Sequence, residues 1–455
     1  MRSLAPFLCL FLIGCSSPTD EAPEAVKPGA AERVTPAAVG SDWPRFLGPN
    51  GDGTSPETNL RSDWNKTGLT KLWECSLGQG YAPPSTAAGR LFHFDRVGDK
   101  ARLMARNAAS GELLWTYDYA TDYVDDYGYD PGPRCCPVID DGRVYLHGVE
   151  GMVVCVEATT GKEIWKVDTR KVYRFQQNFF GVGSTPVIEG DLLIVAVGGS
   201  PAGPKPFDFR ELKGDNSCIV AFDKKTGVEK FRVSSELASY SSPIVATLDG
   251  KRVGLYFARG GLLGFDPVAG KELFFRKWRA KIIESVNAAN PVVLGNTILV
   301  GDCYENGSLC VKYESGKLAT VWSNAKADEK SMPSHWCTPI AVGKHVYGCG
   351  GRNPNDADLR CIDAATGEVK WIERRTTRCT LIAADGHLWS LGEQGELRLL
   401  KPNPEKYDEV ARWEIPGLAY PCWAPPVLSR GIIYLVGQDD TKRDAHKLTA
   451  FKLGK

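Results

Sequence analysis

One short phrase recurs down this chain and constrains its fold more than any other feature. It reads Ala108-Ala109-Ser110-Gly111-Glu112-Leu113-Leu114-Trp115, then Ala158-Thr159-Thr160-Gly161-Lys162-Glu163-Ile164-Trp165. It returns at Thr226-Gly227 with Phe231, at Ala269-Gly270 with Phe274 and at Thr366-Gly367 with Trp371. A looser copy has Ser315-Gly316 followed by Trp322. Upstream of each turn lies a second signal, a Pro leading into an apolar strand and a turn: Pro137-Val138-Ile139, Pro186-Val187-Ile188, Pro243-Ile244-Val245, Pro291-Val292-Val293, Pro339-Ile340-Ala341 and Pro426-Val427-Leu428. Four short strands separated by turn residues, repeated down the chain, are the sequence signature of a propeller blade.

The closing aromatics are Trp115, Trp165, Phe231, Phe274, Trp322, Trp371 and Trp413, with Trp73 ahead of the first. The last unit begins near Pro426 and stops one strand short, at Leu453. Leu72-Trp73-Glu74 can supply that missing outer strand and remove the open edge. The expectation is therefore an all-β, eight-bladed propeller of four-stranded antiparallel blades over residues 42–455, closed by an N-terminal strand. This repeat overrides the count of about three domains that length alone suggests.

The chain begins Met1-Arg2-Ser3, followed by an apolar stretch from Leu4 to Ile13 and then Gly14-Cys15. That is the pattern of an export signal, too short to remain as a membrane-spanning helix. Leu12-Ile13-Gly14-Cys15 resembles the lipobox of bacterial lipoproteins, which implies a signal peptide over 1–15 and lipid on Cys15. Ser16 after it then points to the outer membrane, facing the periplasm or the cell surface. Residues 16–41, rich in Pro, Ala and Glu, read as a disordered tether. The 55 Lys and Arg balance 55 Asp and Glu, so charge gives no case for nucleic acid as a partner.

The Ala-x-Thr-Gly-x-x-x-Trp phrase resembles the tryptophan-docking repeat of the PQQ-like (pyrroloquinoline-quinone-type) propellers. Asp42-Trp43-Pro44-Arg45-Phe46-Leu47-Gly48 is similar to the lead-in of bacterial members. The family includes quinoprotein alcohol dehydrogenases and the propeller lipoprotein of the outer-membrane barrel-assembly machine. The resemblance is specific for fold and weak for function.

Connectivity fixes the working face. With strands running A to D outward from the axis, every Thr-Gly turn lies on one face, and the D-to-A and B-to-C connections emerge on the other. The second face carries the B-to-C insertion 198–217 and the segment Tyr117 to Arg134, with its five Tyr and five Asp. Residues just before each strand A ring the channel mouth, giving Arg134, Cys135, Cys136, Asn178, Asn287, Asn290, His335, Trp336, Arg378 and Trp423 as candidate ligand-binding residues. The bland alternative is small residues where eight strands crowd together. Cys155, Cys310 and Cys361 recur six residues before the turn Gly, where other blades have Ala or Gly, and read as packing choices. Cys303 and Cys310 could face each other across a hairpin at Asn306-Gly307. In the quinoprotein alcohol dehydrogenases an adjacent-Cys disulfide lies at the cofactor site, which makes Cys135-Cys136 a suggestive pair.

Two functions follow. The first is a non-enzymatic exported lipoprotein, a monomeric head without cofactor whose loop face is a platform for an envelope protein or polymer. The second is a small dehydrogenase binding PQQ and Ca²⁺ at the mouth. The resemblance implies that such an enzyme needs oxygen ligands, an Asp base and a nearby Arg or Lys. Asn178, Asn287, Asp302, Arg134 and Arg378 are of those types. The platform is the preferred expectation. No phosphate loop, Gly-x-Ser-x-Gly elbow or His-Glu-x-x-His occurs.

Overall fold

The structure is a computed structural model and describes residues 40–65, 67–175, 179–201, 212–326, 329–442 and 445–454. The expected export signal, Cys15 and nearly all of the tether lie outside the described residues. Eight antiparallel sheets follow one another around a ring. The first blade comprises Ser85–Ala87, Arg90–Val97, Lys100–Asn107 and Leu113–Ala120, paired in sequence order. Six more four-stranded blades repeat that order. The eighth is built from Val427–Ser429, Ile432–Asp439 and His446–Lys452, with Thr70–Leu77 as its outer strand. Trp73 lies opposite Ala450 in that pairing, so the N-terminal strand closes the ring. A two-residue strand, Leu418–Ala419, adds to the edge of Ile432–Asp439 and makes this sheet five-stranded.

The repeat phrase has a mechanical explanation. Most closing aromatics lie across their strand pairs from a small residue: Trp115 from Ala105, Trp165 from Cys155, Phe231 from Ala221, Trp322 from Cys310 and Trp371 from Cys361, whereas Trp413 lies opposite Leu397. The ring then lies on the turn glycine of the next blade. A Cβ on Gly111 would come within 2.5 Å of Trp73, one on Gly161 within 2.5 Å of Trp115, and one on Gly227 within 2.7 Å of Trp165. These glycines have φ between +72° and +76°, so the same atom that would collide would also strain the turn. The indole completes the dock by donating to the first residue of the neighbouring phrase, from Trp73 to Ala108 O (3.1 Å), Trp165 to Lys224 O (3.1 Å) and Trp322 to Ala364 O (3.0 Å). Other blades depart from the rule, and the Trp115 indole makes no hydrogen bond among the described residues. Trp371 donates to Asn403 O at 2.8 Å, and Phe274 leaves the space above Gly316 open, packing on Tyr313 at 5.4 Å instead.

The lead-in has a role that its residues alone did not reveal. Thr86 N donates to Trp43 O and Ile139 N to Pro44 O, on the first strands of blades 1 and 2. A few residues later the segment crosses the axis, where Ala383 N in blade 7 donates to Gly53 O and Ser55 N to Ala383 O. Phe46 therefore sits in the channel, lining a cavity on either side of it. The strand ending blade 1 also runs on to Ala120, so Tyr117 and Tyr119 belong to the sheet rather than to the loop.

Candidate functional site: an aromatic cup at the ring mouth

Above Phe46 the channel opens into a cup of about 260 Å³. Every one of the eight D-to-A connections contributes to it, including Tyr81, Tyr129, Phe180, Tyr240, Val286, His335, Arg378 and Trp423. Thr185 and Thr338, each two residues before the first strand of its blade, and Thr380 on such a strand bring small polar side chains to its wall, because each strand starts at the axis. The rim is a run of ring contacts. Tyr240 meets Phe180 at 5.7 Å, Phe180 meets Tyr129 at 5.2 Å, Tyr129 meets Trp423 at 6.1 Å and Trp423 meets Trp336 at 5.5 Å. Tyr127 and Val124 continue this apolar surface outward and are well exposed.

Two guanidiniums are the charged groups of the lining, and both are answered from behind. Arg378 donates through Nε and Nη2 to Oε2 of Glu393, at 2.9 and 2.6 Å, and Trp423 Nε1 donates to the same oxygen at 3.1 Å. Glu393 is completely buried. The Arg378 guanidinium lies 4.5 Å from the Trp336 ring centre and 5.6 Å from that of Trp423, which fixes both indoles in the wall. Arg134 pairs with buried Asp125 at 2.9 Å and faces the Tyr81 ring at 5.7 Å. Neither carboxylate lines the cup. His335 stands 3.1 Å from the Tyr304 hydroxyl, and burial with Arg378 and Arg352 nearby lowers its pKa to about 3. It is a neutral ring at neutral pH, and the group it meets is a phenol rather than an acid.

Of the mouth residues expected from sequence, Arg134, His335, Trp336, Arg378 and Trp423 line the cup. Cys135 and Cys136 lie beneath it, both fully buried, unpaired thiols whose pKa values burial raises, that of Cys136 to about 12. Asn287 turns inward and donates to Ala258 O at 2.8 Å. Asn290 accepts from Ser242 N at 2.7 Å and borders the cavity on the other side of Phe46. Asn178 lies outside the described residues. Cys303 and Cys310 are both free. The residues that position alone did not reveal are Tyr81, Phe180, Glu393 and the plug Phe46. Glu393 was hidden because it belongs to the B-to-C turn between strands His387–Gly392 and Glu396–Leu400, away from the residues that precede a blade's first strand.

A calcium–quinone pair is the group that the resemblance to quinoprotein dehydrogenases implies, and the donors present do not assemble for it. Asp302 spends its carboxylate on the amides of Tyr304 (2.6 Å), Glu305 (3.2 Å) and Ala280 (3.3 Å). Asp125 and Glu393 are committed to arginines. Among the described residues no group of three or more His, Cys, Asp or Glu side chains is placed to hold a metal ion.

Buried neutral histidines near this face make stability depend on pH. His93 donates through Nε2 to Ala82 O (3.0 Å) and His147 through Nδ1 to Ser184 O (3.1 Å), and desolvation lowers both pKa values to about 4. The unfolded chain binds these protons from about pH 6.5 downward while the folded protein refuses them until near pH 4. Stability is thus complete above that upper limit, and each ring withdraws about 1.4 kcal/mol per pH unit on acidification through the window. His147→Leu should flatten the slope of denaturation free energy between about pH 6.5 and 4.5 by about that amount. An unchanged slope would contradict the assignment.

The sequence was compared with known proteins and solved structures. A family model described as outer membrane protein assembly factor BamB matches residues 61–200 and 99–373. Among curated proteins, the quinoprotein ethanol dehydrogenase of Pseudomonas aeruginosa is 22% identical over 356 residues, 72% of this chain and 46% of that protein. The quinohemoprotein alcohol dehydrogenase ADH-IIG of Pseudomonas putida is 26% identical over 180 residues, 38% of this chain and 22% of that one. The chain thus spans less than half the length of these relatives. Among solved structures, BamB from Moraxella catarrhalis superposes with a TM-score of 0.56 at 14% identity, covering 84% of this chain and 98% of that one. Quinohemoprotein alcohol dehydrogenase from Comamonas testosteroni gives 0.52 at 14% identity, covering 92% and 81%. At that identity both likenesses establish the fold.

Proposed function

The chain belongs to the family of outer membrane protein assembly factor BamB, and from that premise we propose that it is an exported, non-enzymatic binding platform. In this reading Cys15 carries lipid that anchors it to the outer membrane, and the loop face holds an envelope protein or polymer. The observation that carries the reading is the cup itself, walled by aromatic rings from all around the mouth, with the charged groups of its lining, Arg134 and Arg378, already paired from behind. Such a surface binds by burying apolar or ring-bearing groups and orients them through a few fixed donors. Among the described residues of the lining the one imidazole, His335, faces Tyr304 and is a weak base, because burial and the nearby Arg378 and Arg352 disfavour its protonation.

The second reading, a PQQ-dependent dehydrogenase, draws on the named quinoprotein relatives and on the two arginines of the lining, which suit carboxylates. Against it stands the dispersed set of oxygen donors. Calorimetric titration of the full chain with PQQ, with and without Ca²⁺, separates the two. The platform reading expects no calcium-dependent heat at high micromolar cofactor. Tight calcium-dependent binding, lost on Arg134→Ala, would overturn it and call for a dye-linked alcohol oxidation assay.

A further inference from the structure

The structure describes twelve cysteines, all free, and three of them meet where the sixth blade abuts the seventh. Cys337 directly follows Trp336 of the cup wall, and Cys379 directly follows Arg378 and opens strand Cys379–Ala384. Cys349 lies between them on strand His345–Gly350, which packs beside Cys379–Ala384. The Cys379 amide donates to Cys349 Sγ at 3.4 Å, the Cys349 thiol donates to Thr377 O at 3.9 Å, and all three cysteines pack in one buried cluster. All three are no more than 2% exposed. None stands opposite a docking aromatic, so the packing that explains Cys155, Cys310 and Cys361 does not explain this trio.

We propose that Cys349 and Cys379 form a disulfide that staples the two blades beneath the Trp336–Arg378 wall, leaving Cys337 as a free thiol. Cys379 is chosen over Cys337 because its backbone already approaches the Cys349 sulfur across the blade junction. The oxidant is a low-molecular-weight or protein disulfide of the kind an oxidising compartment maintains. One thiolate attacks it to give a mixed disulfide and one released thiol. The second cysteine, giving up its proton, then displaces the other thiol, so two protein thiols and one external disulfide become one protein disulfide and two external thiols. Burial raises both thiol pKa values in the folded protein, so the exchange belongs to folding, before the junction closes. Its occurrence in the cell rests on the exported reading, while the pairing itself does not.

The test refolds the full chain from denaturant in a mixture of oxidised and reduced glutathione, then alkylates free thiols under denaturing conditions and maps the peptides. The expected result is a 349–379 cross-link with Cys337 alkylated, retained in Cys337→Ser and lost in Cys349→Ser. Alkylation of all three in the refolded wild type, or a 337–349 link, overturns the proposal without recourse to any variant. The same map on protein recovered from cells separates the two readings. A link formed in glutathione but missing from the cell-derived protein supports the pairing and counts against export.

Discussion

Gly227→Ala lowers stability by about 3–5 kcal/mol, the range for losing a buried Trp, because its Cβ would come within 2.7 Å of the Trp165 ring and force it off its dock. Gly316→Ala is the matched control. Its φ of +76° is close to the +72° of Gly227, but nothing lies within 4 Å of the added carbon. It should therefore cost only the left-handed backbone term, about 1–2 kcal/mol. Denaturant midpoints of the two variants read the difference, which is the contribution of docking stripped of backbone strain. Equal losses would show that the turn, and not the indole, is what the repeat preserves.

Glu393→Gln has the second large effect. The side chain keeps its shape but loses the charge that faces Arg378, leaving a guanidinium that is 8% exposed without its counter-ion. Breaking a buried pair from one side costs about 3–5 kcal/mol, whereas replacing both members with apolar groups of similar volume is near neutral. Arg378→Met combined with Glu393→Leu should therefore recover much of what Glu393→Gln loses. Because Trp423 also donates to this carboxylate and Trp336 stacks on the guanidinium, tryptophan fluorescence should shift in the single variant. A loss below about 1 kcal/mol would mean that solvent reaches the pair.

The fold was legible because propeller physics writes itself into sequence at short range. A strand, a Gly turn with positive φ and an aromatic four residues later are local signals, and their repetition marks Trp73 as the docking residue of the eighth outer strand. The site was only half legible. Position in the repeat brought Arg134, His335, Trp336, Arg378 and Trp423 to the mouth, since connectivity alone places the D-to-A connections there. It could not tell which side chains turn inward. Cys135, Cys136 and Asn287 occupy equivalent positions and are buried by their neighbours. Glu393 and Phe46 reach the site through tertiary contacts over long sequence separations, 30 residues to Trp423 in the first case and across the whole ring in the second. No local pattern carries that information.

The platform is tested most directly by placing a photo-crosslinking amino acid at one of two exposed positions on opposite faces. Tyr127, 56% exposed, adjoins the rim of the cup, and Val268, 70% exposed, sits on a turn of the opposite face. Irradiation of cells producing the full chain should give a discrete adduct with an envelope protein or polymer from position 127 and none from position 268. Adducts from position 268 alone, or from neither position, would contradict a binding role for the loop face.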